Sequence, residues 1–516
     1  MRSAARQSNR RQVSQTLSVP SPVAGWNARD PVADMKPADA VILDNFFCTP
    51  YDVGVRKGAS AWSTGMSTVN TLASYSPVSG INKLFASAGA NIYDATGNGA
   101  VGAPVVTGQT SDKWQTVNFG TPGGNFLVMV NGADKMQQFD GTTWKTIDAA
   151  STPAITGVLT QNLITVTAFK SRLWFVEQSS MKAWYLPVVA VGGAATSIDF
   201  SSLFTMGGYL MQMGTWSLDA GYGMDDYAVF ISSKGQVAVY KGTDPATAAT
   251  WSLIGVYTIG APIGRRCIMD MAGDLIVICQ DGLAPLSKSL MSSRVNTIEM
   301  LTDRIQSVIS QYITASGDNQ GWQTVLFPRE NMLLMNVPIS PSISYQVAMN
   351  TISGAWSRFL NWNARTFVIH NEELYFGGLG GVFKAYSGTT DFGANILFEA
   401  QQSFNYFGSN TQLKQVKMVR PIVSSDGNPS ILLGINVDYD TSLPYGTPSF
   451  SQISPGLWDS AIWDGSNWGG GQTIRRDWQT AYGLGYCFAA HIKGAIQNTN
   501  FNWAATDYVI EAGGVI

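Results

Sequence analysis

An all-β fold, in its main part a β-propeller of six or seven blades, is predicted by a repeated turn, by the strands around it and by the composition. The turn is an aromatic residue followed by a tight polar corner. It occurs as Tyr93-Asp94-Ala95-Thr96, Phe139-Asp140-Gly141-Thr142, Tyr240-Lys241-Gly242-Thr243 and Tyr386-Ser387-Gly388-Thr389, at steps of 46, 101 and 146 residues. Those steps approximate one, two and three periods of roughly 40–50 residues, and several short strands per such period mark a propeller. Weaker echoes end at Tyr185 and near Leu286. Taken alone, the tetrapeptide is ordinary turn chemistry. Only 13% of the residues are charged and 53 of 516 are Gly, a turn-rich β composition with about half the usual share of charge. A surface this neutral suits contact with other subunits.

The most regular copy spans 124–148, GNFLVMVNGADKMQQFDGTTWKTID. An apolar run at 126–130 meets Asn131-Gly132, a strong hairpin signal. A second strand at 135–139 leads to Asp140-Gly141 and the anchor Trp144. Such a small sheet cannot bury its own faces, so neighbours must cover it.

Residues 1–22 read as a flexible basic arm, with Arg2, Arg6, Arg10, Arg11 and no acid. The net charge of −3 therefore hides a more acidic body, which argues against tight sequence-independent DNA binding. Residues 23–65 form a joining segment, and 66–400 hold the repeats. Within them, Ile298, Leu301, Ile305, Val308, Ile309, Tyr312 and Ile313 recur at steps of three and four, predicting an inserted amphipathic helix over 296–316. Residues 401–516 change character, with strand candidates at 412–423, 430–440, 481–494 and 500–510. They read as a β-sandwich-like domain, with Trp458, Trp463 and Trp468 in a loop ending in three glycines.

Motifs of chemistry are sparse. His370 and His491 are the two histidines; neither sits in an HExxH helix or a Gly-x-Ser-x-Gly elbow, so both read as structural. Cys48, Cys267, Cys279 and Cys487 are scattered without a CxxC pair and read as free thiols. The glycines at 377–381 lack the Lys and helix of a phosphate loop. Asp318, Asp391 and Glu399 show no pairing of the glycosidase kind. No catalytic residue, metal site or cofactor is expected. No apolar run reaches the ~18 residues of a membrane span, and no signal peptide is read at the N-terminus. The three tryptophans would either stack on sugar rings or anchor an interface, and the low surface charge favours the interface.

Three stretches carry a family resemblance: Gly25-Trp26-Asn27-Ala28-Arg29-Asp30-Pro31, Leu43-Asp44-Asn45-Phe46-Phe47 with Pro50, and Val55-Arg56-Lys57-Gly58. Together they resemble the N-terminal region of the tail nozzle proteins of short-tailed bacteriophages, the tail tubular protein B family. Residues 418–427 resemble that family's C-terminal region. Between these stretches the likeness is architectural only. The resemblance implies a virion structural protein made in the host cytoplasm and assembled as a hexameric ring. It further implies an adaptor protein above, fibre or tip proteins at the side, and DNA passing through without tight binding. On this reading Trp458, Trp463, Trp468, Trp26 and Phe47 form the subunit interface. The four N-terminal arginines contact adaptor or DNA. The alternative is a receptor-binding or carbohydrate-active propeller of a tail fibre.

Overall fold

The computed structural model describes residues 14–219, 224–247, 249–289, 300–427, 429–442, 444 and 473–513. The chain is all-β and divides into two compact units. One takes the residues up to Gly58, Ile352–Arg358 and those from Gly388 onward; the other takes Ala59–Thr351 and Phe359–Ser387.

The second unit holds seven antiparallel meanders among its described residues. Sheet one is Val69–Tyr75, Lys83–Ala88 and Asn91–Asp94. Sheet two is Gln115–Thr121, Gly124–Val130, Met136–Phe139 and Trp144–Ile147. Sheet three is Leu163–Phe169, Arg172–Glu177, Lys182–Tyr185 and Thr196–Asp199. Sheet four is Leu210–Asp219, Met224–Ser232, Gln236–Gly242 and Trp251–Thr258. Sheet five is Ile268–Met271, Asp274–Cys279 and Gly282–Pro285. Sheet six contains Gln323–Phe327, Met332–Pro338 and Ser344–Asn350. Sheet seven joins Thr366–His370, Glu373–Gly378 and Gly381–Ala385 to the early strand Ala59–Thr64.

The repeated tetrapeptide has a fixed place in this scheme. Its four copies sit at the ends of the third strands of sheets one, two, four and seven, and the echoes at Tyr185 and Leu286 end those of sheets three and five. In the second copy the Asp140 carboxylate accepts from the Thr142 and Thr143 amides at 3.0 and 2.8 Å, and Gly141 takes φ 95°. A side-chain acceptor and a left-handed residue are what such a corner needs.

Packing follows from strand periodicity. In Gly124–Val130, Leu127 and Met129 join Tyr75 and Phe85 of sheet one, while Val128 and Val130 join Leu173 and Phe175 of sheet three. In Arg172–Glu177 the alternate residues Trp174 and Val176 face Phe230 and Ala238 of sheet four. Val229 and Ile231 then turn to Leu275 and Val277 of sheet five. A strand buried on both faces needs an apolar residue at every step, which explains the continuous runs. Each fully buried Val, Leu, Ile or Phe contributes about 1.5–3 kcal/mol. The leading strand of each sheet touches the leading strand of the next, and that of sheet seven touches that of sheet one.

Asn131-Gly132 does not make a two-residue hairpin. The register Met129↔Gln137 leaves a longer loop, closed by Asn131 Oδ1 accepting from the Ala133 and Asp134 amides at 2.9 and 2.7 Å. The helix runs over Gln306–Ser316, preceded by a 3-10 turn at Asp303–Ile305. It is shorter than the predicted 296–316, and 296–299 lie outside the described residues.

The first unit overturns the predicted boundaries at both ends. Gln15–Pro20, read as part of the arm, pairs antiparallel with Phe501–Ala512. Val53–Val55, from the joining segment, pairs with the other end of that strand. Lys414–Ser425, Gln479–Gly485, Thr473–Arg475 and Phe46–Cys48 complete the sheet. A second layer holds Asp39–Asp44, Ile396–Gln402, Phe488–Ile496 and Ser430–Val437. Val19, Val416, Tyr508 and Ile510 of one layer share a core with Phe488, Ala490 and Leu433 of the other.

Candidate functional site

The residues that carry the family resemblance are drawn together in the first unit. Asn27 is buried; its Nδ2 donates to Asp30 Oδ2 and Asp39 Oδ2 at 2.9 and 3.0 Å. Its Oδ1 accepts from the amides of Arg29 and Asp30, both at 3.1 Å. One Asn thus closes the turn and ties it to the next strand. Asn45 stands at φ 59°, a conformation Asn tolerates better than most residues. Its amide donates to Arg358 O and its Nδ2 to Leu397 O, both at 2.7 Å, while its Oδ1 accepts from Arg56 Nε at 2.8 Å.

Arg56, with its side chain fully buried, forks onto Asp391 at 2.9 and 2.6 Å. Asp44 forms a second fork with Arg358, at 2.7 Å through each oxygen. Gly58 has no side chain because a Cβ would stand 1.9 Å from Thr390 O. The motif is therefore a set of mutually satisfied buried polar groups.

The predicted interface residues Trp26 and Phe47 are 7% and 8% exposed. Trp26 lies beneath the Arg358 guanidinium, 5.3 Å from its ring centroid. Both pack inside the unit instead of offering an outward face. Trp458, Trp463, Trp468, Arg2, Arg6, Arg10 and Arg11 lie outside the described residues.

Both histidines are buried and hydrogen-bonded. His491 Nε2 meets Glu399 Oε1 at 3.1 Å, and its Nδ1 meets Asn436 Oδ1 at 3.2 Å. The His491 hydrogen bond holds the Glu399 carboxyl below its ordinary range, against the effect of burial. Burial pushes the His370 pKa down. All four cysteines are free and buried, and burial pushes Cys48, Cys267 and Cys279 up to about 12. Among the described residues no group of three or more His, Cys, Asp or Glu converges as metal ligands. No described helix is long and apolar enough to cross a membrane.

The second unit contains a polar cavity of about 1060 Å³, lined by Lys113, Asn131, Gln178, Tyr209, Arg265 and Asp318 among others. Beside its wall, Arg266 binds across the meanders. Its Nη2 donates to Thr71 Oγ1 at 2.8 Å, Trp114 O at 3.1 Å and Asn70 O at 3.2 Å. Its Nη1 reaches Gln323 Oε1 at 3.5 Å. Burial pulls this guanidinium down to about 10, with the Asp112 charge opposing. Among the described residues Arg266 forms no ion pair. Sequence reasoning missed this cluster, because Arg265-Arg266 sits in no motif and its partners come from distant sheets.

No protein-family profile matches the chain, and no curated protein does. Similar solved structures include YCF48 bound to a D1 peptide, at 10% identity and TM-score 0.35, covering 67% of this chain and 98% of that one. The Cps50 (Swd1) β-propeller domain of Myceliophthora thermophila aligns at 12% identity and TM-score 0.35, over 64% of this chain and 96% of that one. The exo-β-1,3-galactanase of Phanerochaete chrysosporium aligns at 12% identity and TM-score 0.30, over 79% and 97%. These similarities assign no site or activity to this chain.

Proposed function

We propose that this chain is a non-enzymatic structural subunit of a short-tailed phage tail nozzle. In this reading its second unit is a seven-bladed propeller and its first a β-sandwich that carries the family motif. The observation that carries the assignment is the locked motif itself. Asn27, Asn45, Arg56 and Gly58, which the resemblance singles out, each satisfy or make room for buried backbone and charge. Residues that hold such a network serve a rigid scaffold. The cycle of leading-strand contacts supports the blade count.

A nozzle subunit must meet identical neighbours and let DNA pass. A low charge content favours the first, since few ions need desolvation at an interface. A mildly acidic body favours the second, because each Lys or Arg facing phosphate adds salt-dependent affinity that slows sliding. The ring requires two different complementary faces per subunit. With Trp26 and Phe47 buried, Trp458, Trp463 and Trp468 are the candidates for one of them.

Light scattering and negative-stain images of the purified chain test the proposal. Annular particles of about six subunits are expected. A chain that stays monomeric both alone and with its adaptor overturns it. The double substitution Trp458→Ala, Trp463→Ala should leave a folded monomer, and intact rings from it remove the tryptophans from the interface.

A further inference from the structure

We propose that the polar cavity of the second unit is a binding site for an acidic saccharide, with Arg265 receiving the sugar carboxylate. This site is independent of the nozzle assignment.

The position of Arg265 is the first observation. It lines the cavity and spends one hydrogen bond on the protein, from Nη1 to Asn131 O at 2.8 Å. Among the described residues it has no ion pair. A guanidinium carries five N–H donors in a planar fork that fits a carboxylate, so most of its hydrogen-bonding capacity is open. Burial disfavours its charged form, and an anion in the cavity would relieve that cost.

The second observation is convergence. Gly132, at φ 75°, lines the cavity, and a Cβ there would stand 2.6 Å from Ile164 Cγ2, 3.4 Å from Gln178 Oε1 and 3.6 Å from Arg265 Nη1. The bare Gly132 backbone therefore leaves room for the Ile164 methyl and lets the Gln178 and Arg265 side-chain ends come to one stretch of the cavity wall.

The third is the remaining chemistry. Amides and hydroxyls dominate the lining, and both can donate and accept, as sugar hydroxyls require. Tyr209, 42% exposed, adds an aromatic ring to the lining. Lys113 adds one further positive charge and Asp318 one negative charge. That balance favours a ligand with a single anion over a polyphosphate, and the polar lining disfavours an apolar peptide side chain. The volume suits a short oligosaccharide.

Calorimetry on the full chain tests this, with trisaccharides ending in glucuronate, galacturonate or N-acetylneuraminate, their neutral counterparts, and inorganic phosphate. At least one acidic trisaccharide is expected to bind at least tenfold more tightly than its neutral counterpart and than phosphate. Arg265→Met should lose at least tenfold and Arg265→Lys should recover part of it, with melting temperatures unchanged. If Arg265→Met fails to fold, Gln178→Ala and Tyr209→Ala carry the test, and both must weaken binding. No binding to any acidic probe overturns the proposal. So does equal binding of neutral sugar or phosphate, or binding that these substitutions leave untouched.

Discussion

A buried charge is stable only while its partner remains. The Arg56 side chain is 0% exposed and Asp391 is 6% exposed, and the two are joined at 2.6 Å. Asp391→Ala would remove the carboxylate that both Nη groups of this buried guanidinium reach. Breaking such a pair from one side costs about 3–5 kcal/mol. Urea denaturation should show that loss, and a near-wild-type midpoint would remove the pair from the scaffold. His370 makes a pH-dependent case. Asn82 Nδ2 donates to Asn371 Oδ1 at 2.6 Å, which turns the Asn371 amide nitrogen towards His370 Nε2 at 3.2 Å. Nε2 must then accept, the proton sits on Nδ1, and Nδ1 donates to Ser74 Oγ at 2.9 Å. Burial lowers this pKa from its ordinary 6.5. The unfolded chain therefore takes up the proton first as the pH falls. The contribution to stability is complete above 6.5 and is lost as pH drops from there towards the folded value. Melting temperatures between pH 7.5 and 5.5 should fall more for the wild type than for His370→Gln. Equal slopes would show that the ring does not titrate as this geometry requires.

Strands with local signals were readable from sequence, and strands whose partners are remote were not. Lys234-Gly235 and Ala272-Gly273 carry glycine at a tight corner, and the registers Ile231↔Val237 and Met271↔Asp274 place both pairs in hairpin turns. Positive-φ residues at a tight corner are a local requirement that residue types reveal. Gln15–Pro20 lacks such a signal. It is a single strand whose partner lies near the other end of the chain, and nothing in its own residues specifies Ile510 or Ala505. The cavity was hidden for the same reason: Arg265, Gln178 and Asp318 are brought together by topology, not by spacing. Removing residues 1–20 tests the strand assignment. Val19 is 3% exposed and shares a core with Val416 and Tyr508. Its loss uncovers that core and frees one edge of Phe501–Ala512 over residues 505–510, while the other edge stays paired with Lys414–Ser425. The truncated chain should melt at a lower temperature and be cut by protease within 501–512. Unchanged melting would mean that the strand adds nothing to the unit.

Meanders placed side by side need a device that holds the last to the first. In the second unit that device is Ala59–Thr64, which enters sheet seven beside Gly381–Ala385 and so joins the two ends of the unit through hydrogen bonds. An ordinary outer strand, such as Trp144–Ile147 in sheet two, joins only its own neighbours in sequence. Proline distinguishes the two roles, because it removes a ladder donor wherever it stands. Ala61, paired with Phe383, and Lys145, paired with Gln138, both have exposed side chains. Each substitution therefore acts mainly through the backbone. Ala61→Pro should speed amide exchange across Thr366–His370, Glu373–Gly378 and Val69–Tyr75, since releasing the clasp loosens both sheets it holds in place. The leading strands of those sheets touch each other, so the effect has a path between them. Lys145→Pro should speed exchange only in Trp144–Ile147 and Met136–Phe139. If both substitutions produce the same local pattern, Ala59–Thr64 is an edge strand and the meanders are held by side-chain packing alone.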